Sequence, residues 1–316
     1  VTTFNLKACQ KIVITGGAGF LGRHVQQELE RSGANPKSFV IPRSATDDLR
    51  DMAAASRLIY GADLVIHLAA RVGGIGFNQK YPGDLFYDNA TMGINVIEAS
   101  RRAGVKKLAM AGTICAYPSH TPIPFREEDL WNGYPEETNA PYGIAKKAML
   151  VMIQAYRQQF GLNGIFLLPV NLYGPYDNFD IEHSHVIPAL IRKFVEAKER
   201  RDAFVTLWGD GSPTREFLHV EDAARGIVRA ILEYHSSEPV NLGSAEEYSI
   251  KDLAEVIRRA VGFEGSVRWD TSRPNGQARR KLDVSKAEEF FGFRSAISFE
   301  QGLKQTIEWW KSHRSQ

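Results

Sequence analysis

Cysteine is nearly absent. Cys9 and Cys115 are the two in a chain of 316 residues, too few for a framework of several disulfides, so a reduced cytoplasmic setting is expected. An excess of one charge is missing too. Lys plus Arg, 39, against Asp plus Glu, 37, leaves a formal net charge of +2, which excludes the strongly basic balance of a phosphate-backbone binder, and no nucleic-acid partner is expected. Long apolar runs do not occur: Leu64 to Ala70 is broken by His67 and falls well short of the roughly 18 residues that cross a bilayer. No membrane association is expected, nor a secretory signal in the opening residues. What remains is ordinary globular usage, with 43% hydrophobic and 24% charged residues, in a chain about twice the usual one-domain length of ~150.

The pattern along the chain alternates. Lys11 to Thr15 is a β-branched run that opens into glycines, after which Leu21, Val25 and Leu29 recur every fourth residue: strand, turn, amphipathic helix. Phe39 to Ile41, Asp63 to Leu68, Lys107 to Ala111 and Ile165 to Pro169 read as further strands, with helices expected around Asn89 to Arg102 and over Tyr142 to Phe160. Apolar strands separated by helices predict a doubly wound parallel sheet of the Rossmann type, covered on both faces. Beyond Tyr173-Gly174-Pro175 the composition turns polar, and Asp177 to Ser184 is expected to be a loop. Helices at Val186 to Lys198 and Ile250 to Val261, a strand at Phe204 to Trp208 and a final helix striped by Phe299, Leu303, Ile307 and Trp310 then predict a smaller C-terminal α/β module. The expected division is 1–173 and 216–246 for dinucleotide binding, 174–215 and 247–316 for substrate.

Gly16, Gly19 and Gly22 form G-x-x-G-x-x-G between the first strand and the first helix. A pyrophosphate needs bare backbone there, and the N–H groups and dipole of the helix offer it an anion site. A lone glycine triplet is weak evidence; its place in an alternating α/β chain makes it specific. An NAD site would put a carboxylate at the end of the second strand, and Phe39 to Ser44 has none. Arg43 stands there instead, a guanidinium suited to a 2′-phosphate, so NADP (NADPH) is the expected cofactor, with Asp47 or Asp48 as the alternative for an NAD ribose.

Tyr142 and Lys146 lie one turn apart at the front of the long helix, and Thr113 follows the Lys107 to Ala111 strand. Taken singly, Y-x-x-x-K is a common surface pair. Beside a nicotinamide, the ammonium would lower the phenol below its ordinary pKa near 10 and hold the ribose, while Thr113 gives a second hydrogen bond to the same substrate oxygen.

With these motifs in place, the chain resembles the extended short-chain dehydrogenase/reductases of the nucleotide-sugar branch. Ala70 to Ile75, Cys115 to Pro118, Asn171 to Pro175, Asn178-Phe179, Ser184 to Pro188 and Arg215 to Val220 are similar to the GDP-L-fucose synthase family in particular. That resemblance implies 3,5-epimerisation of a GDP-4-keto-6-deoxyhexose followed by NADPH-dependent 4-reduction, in a homodimer. It implies Cys115 as base and His185 as the acid that reprotonates, beside Thr113, Tyr142 and Lys146. Cofactor contacts are implied for Gly16, Gly19, Phe20, Leu21, Gly22, Arg43, Ala69, Tyr142, Lys146, Pro169, Asn171, Leu172 and His185. Sugar-nucleotide contacts are implied for Lys193, Trp208, Arg215 and Asn275; Arg280 joins them as a further cation for the diphosphate. No metal is expected. A thiol serves as base when a nearby cation favours the thiolate, and imidazole titrates near 6.5. The chain departs from the family in one segment, Gly112-Thr113-Ile114-Cys115, where serines are usual: threonine keeps the donor, whereas Ile114 is expected to cost a polar neighbour of the cofactor. The alternatives are an epimerase or 4-reductase alone, acting on another GDP-sugar or a heptose, and a non-enzymatic dinucleotide sensor.

Overall fold

The computed structural model describes residues 3–180, 184–273 and 277–314. Its strands are β1 (Ile12–Thr15), β2 (Phe39–Val40), β3 (Leu64–His67), β4 (Lys107–Ala111), β5 (Gly164–Pro169), β6 (Asn171–Tyr173), β7 (Phe204–Trp208), β8 (Thr214–His219), β9 (Pro239–Leu242), β10 (Glu247–Ser249), β11 (Ser266–Asp270) and β12 (Arg279–Arg280). The helices are α1 (Phe20–Arg31), α2 (Met52–Ile59), α3 (Ile75–Lys80), α4 (Pro82–Arg102), α5 (Ala140–Phe160), α6 (Val186–Arg200), α7 (Val220–Glu233), α8 (Ile250–Val261), α9 (Ser285–Phe291) and α10 (Phe299–His313). The two long helices begin earlier than their apolar stripes suggest. Pro82 and Pro141 occupy their first turns, where the missing N–H costs nothing.

The main sheet runs β2-β1-β3-β4-β5-β9 and is parallel throughout. Ile12, Val13, Ile14, Val65, Leu108, Phe166 and Val240 are buried in it, as continuous apolar strands covered on both faces must be. Helix α1 packs on α7, and α4 on α2 and α5. The chain leaves β1 for β2 on one side and returns to β3 on the other. A crevice therefore opens beyond the carboxyl ends of β1 and β3, where doubly wound folds take their ligands.

A second apolar cluster is built from Tyr173, Phe179, Phe194, Phe217, Leu253, Phe299 and Leu303 under α6, α8 and α10. Leu282, Ala287, Phe291 and Phe293 pack in the first cluster although they follow residue 247 in the chain. Strand β8 joins the two regions: Phe217 to His219 pair with β6, while Thr214 to Glu216 pair with β10, and Thr214 and Arg215 with β12.

Glu216 fastens this junction. Its fully buried carboxylate accepts Ser244 N at 2.7 Å and Ala245 N at 2.8 Å on Oε1, and Leu282 N at 2.7 Å on Oε2. Glu216→Ala strands three amide donors, and the expected loss is ~3 kcal/mol of stability, read as a lower urea midpoint with the m value kept. An unchanged midpoint would show that water replaces the carboxylate.

Candidate active site

The glycine turn is a cradle that side chains would fill. Gly16 has φ +70°, and a Cβ there would lie 2.7 Å from Ala69 N; a Cβ on Gly22 would lie 2.2 Å from Gly16 O. Gly19 caps α1 without a side-chain hydrogen bond, so the first N–H groups of the helix face the crevice through bare backbone. Phe20 and Leu21 start that helix, and Ala69 closes the far wall. These residues fit a dinucleotide pyrophosphate. Pro169, Asn171 and Leu172 line the ends of β5 and β6, with Asn171 Nδ2 donating to Glu216 O at 3.0 Å.

At the end of β2, Arg43 is exposed. Asp48 is held by Arg50 at 2.7 Å, which keeps its carboxyl down at about 2, and Asp47 accepts from Thr46. Both carboxylates proposed for an NAD ribose thus already have partners.

Thr113 and Tyr142 meet. Thr113 hydrogen-bonds the phenol and also accepts Cys115 N at 3.2 Å, capping the short turn that follows β4. Lys146 Nζ donates to Ala111 O at 3.0 Å and lies 5.9 Å from the Tyr142 ring centre. Burial, and then the charge of Cys115, push Tyr142 well above the ordinary phenol range, and Thr113 opposes them. Burial likewise brings Lys146 down to about 8. Desolvation disfavours the charged form of each group, which moves the phenol up and the ammonium down.

Behind them His67, at the end of β3, shares a 2.8 Å hydrogen bond with Thr15 Oγ1, and Thr15 Oγ1 also accepts Ala69 N at 3.3 Å. Burial, and then the Lys146 charge, push the imidazole down to about 3. Below about 6.5 the unfolded chain takes up a proton that the folded chain refuses, so His67 costs stability as pH falls toward 3, by at most ~1.4 kcal/mol per pH unit. His67→Gln is expected to flatten the acid side of the Tm-against-pH curve. A parallel curve would count against this.

Cys115 is a half-exposed free thiol, and Arg280 Nη1 donates to its sulfur at 3.7 Å. Arg215, opposite Arg280 in the β8–β12 register, is brought down to about 10 by burial first and then by Arg280. Thr113, Cys115, Tyr142, Arg215 and Arg280 therefore form one cluster. His185 is the N-cap residue of α6 and is solvent-exposed, although nearby protein lowers its imidazole by desolvation. A Cβ on Gly74 would lie 3.6 Å from Ser184 O, so the segment after β3 abuts the residue before His185. Lys193 lies on α6, partly buried and lowered by desolvation; Trp208 ends β7, 65% exposed, with the Arg273 guanidinium 5.2 Å from its ring centre. No hydrogen bond, ion pair or ring contact among the described residues joins His185, Lys193 or Trp208 to Cys115. Asn275 lies outside the described residues.

Ile114 is buried in the first apolar cluster and packs beneath the site. Gly143 is the residue that sequence reasoning missed. A Cβ there would lie 2.4 Å from Cys115 O, so glycine lets α5 carry Tyr142 up against the segment that holds Thr113 and Cys115.

A parallel sheet with a glycine cradle at its switch point, a Tyr/Lys pair and a strand-end hydroxyl defines the class of dinucleotide-dependent sugar-nucleotide enzymes. The chain belongs to the NAD dependent epimerase/dehydratase family, which it matches over residues 12–243. It is 40% identical over 304 residues to the probable GDP-L-fucose synthase 1 of Oryza sativa subsp. japonica, covering 95% of this chain and 92% of that protein. Among solved structures, a GDP-L-fucose synthetase from Naegleria fowleri bound to NADP superposes with a TM-score of 0.88 at 30% identity, over 100% of this chain and 97% of that one. A GDP-mannoheptose C4 reductase from Campylobacter jejuni with NADP bound gives 0.86 at 29% identity, over 96% and 98% of the two chains. No described helix is long and apolar enough to cross a membrane.

Proposed function

We propose that the protein is an NADPH-dependent 3,5-epimerase and 4-reductase of a GDP-4-keto-6-deoxyhexose. The observation that carries this reading is the cluster in which a thiol paired with a guanidinium stands beside a Tyr/Thr pair. Reduction of a ketone needs only the Tyr/Thr pair; a second acid/base group is surplus unless protons also move at carbon. Similarity to the rice GDP-L-fucose synthase supports the substrate class. The two relatives solved with NADP and the exposed Arg43 support NADP over NAD.

In this reading 1–173 and 216–246 hold the cofactor, and 174–215 and 247–316 hold the sugar nucleotide. Arg215 and Arg280 neutralise the diphosphate, with Lys193, Trp208 and Asn275 completing the nucleotide end. Cys115 takes the proton from a carbon beside the carbonyl, and His185 returns one on the opposite face, at C3 and at C5. The nicotinamide, when bound, supplies the hydride that C4 requires. Tyr142 gives its proton to the C4 oxygen. A phenol raised by burial is in the form this step needs, and Thr113 holds the same oxygen. Lys146, at about 8, keeps most of its charge at neutral pH and faces the ribose. Exposed Phe86, Tyr87 and Ile94 on α4, with Val151 and Phe160 on α5, support a homodimer through those helices.

The test is incubation with NADPH and GDP-4-keto-6-deoxyhexose in deuterated water. Deuterium at C3 and C5 together with loss of the reduced-nicotinamide absorbance is expected. Absorbance loss without label would leave a 4-reductase, the second reading, which similarity to the heptose reductase favours. Binding with neither signal would mark a dinucleotide sensor.

A further inference from the structure

A thiol base needs a cation beside it, and the fold supplies one that is itself held in place. Arg280 Nη1 donates to Cys115 Sγ at 3.7 Å, and Arg280 Nε donates to Gln277 Oε1 at 2.6 Å. Gln277 Nε2 in turn donates to Ser119 O at 3.0 Å. These contacts close a ring, because Ser119 and Cys115 belong to one segment, so the guanidinium is tied at both ends to the stretch of chain that carries the sulfur. The backbone under Arg280 is fixed as well. It pairs with β8, Leu282 N donates to Glu216, and Phe125 N donates to Lys281 O at 2.7 Å.

The neighbouring cation is already taken: Arg279 is ion-paired with Glu247 at 2.6 Å, whereas Arg280 has no ion pair among the described residues. The chemistry of its partner explains why this matters. An amide oxygen orients a guanidinium without cancelling its charge, whereas a carboxylate there would draw that charge away from the sulfur. The flat fork of arginine can hold Gln277 through Nε while Nη1 stays on sulfur; the single ammonium of lysine has no such fixed pair of directions.

We propose that Gln277 is a positioning residue for Cys115: it locks the Arg280 fork with Nη1 on the sulfur, so that the base rests against its cation before a sugar arrives. The proposal rests on the reading of Cys115 as the proton-abstracting base. In that step the proton passes from carbon to sulfur, and the negative charge passes from sulfur to the carbonyl oxygen beside Tyr142 and Thr113.

Gln277→Met keeps the length of the side chain and removes both of its hydrogen bonds. The full chain is treated at neutral pH with iodoacetamide, and alkylation of Cys115 is followed by mass spectrometry; buried Cys9 serves as the internal control. The rate of deuterium entry into GDP-4-keto-6-deoxyhexose is measured in parallel. Both rates are expected to fall about tenfold. Arg280→Lys, which keeps the charge and loses the fork, is expected to slow alkylation in the same way and covers the case in which Gln277→Met does not fold. Alkylation at the wild-type rate in both variants overturns the proposal, and so does normal deuterium entry beside slowed alkylation. Deuterium entry that persists in Cys115→Ala overturns the reading of the base itself. That failure is separately visible, because alkylation involves no sugar.

Discussion

Tyr142→Phe is expected to slow NADPH-driven reduction by roughly 10²- to 10⁴-fold while the affinity for NADPH, followed by fluorescence titration, stays the same. The substitution removes one oxygen from a side chain in the first turn of α5 and leaves the ring in its place. That oxygen hydrogen-bonds Thr113, and burial keeps its proton on. In the proposed mechanism the phenol is the acid at that position. Lys146 lies one turn further on and gives one of its Nζ protons to Ala111 O, and the Thr113 oxygen accepts the Cys115 amide while its hydroxyl, a far weaker acid than a phenol, can hold the substrate oxygen without protonating it. Deuterium entry beside the carbonyl should survive in this variant, since in the proposed mechanism it runs through Cys115 and His185. Reduction at the wild-type rate would remove Tyr142 from the chemistry.

Gly143→Ala is expected to slow both reduction and deuterium entry by about a hundredfold, with Tm lowered by only a few degrees. The added methyl would sit 2.4 Å from Cys115 O and 3.0 Å from its carbonyl carbon. Both obstacles are backbone, so neither can swing aside, and α5 must back away from the turn after β4 by about an ångström. Displacements of that size cost about 10²-fold when reacting groups lose alignment. Tyr142 and Lys146 ride on α5, while Thr113 and Cys115 belong to the turn, so the two activities should fall together. A variant that loses only one of them would show that the helix and the turn are not held in register at Gly143.

Much of this site was legible because it is local. The glycine cradle, the helical step from Tyr142 to Lys146 and the hydroxyl after β4 depend on spacings of a few residues, and those spacings survive folding. The bond between Arg280 and Cys115 joins distant parts of the chain through β12, a strand of two residues that no periodicity announces. Gly143 reads as an ordinary helical residue until the backbone beneath it is in view. The upward push of burial on Tyr142 is illegible in the sequence for a related reason. Charge is written in the sequence, but the protein that excludes water from a side chain is assembled from many segments. The burial of Ile114 in the core is assembled in the same way, from segments that the local sequence does not name. Short β6, β10 and β12 and the whole of α7 also lie outside what the sequence reading anticipated, although Val220, Ala224, Ile227 and Ile231 form a clear apolar face on α7.

The shared strand β8 makes the molecule a jaw that is already set. Its first half bonds to the sheet that presents Arg215 and Arg280, and its second half bonds to β6, next to the cofactor crevice. Swinging one side away from the other would shear ladder bonds along one strand, each worth about 1 kcal/mol net. Discrimination between sugars must then come from shape presented in advance, and a poorly fitting hexose would be turned away at the door rather than squeezed into place.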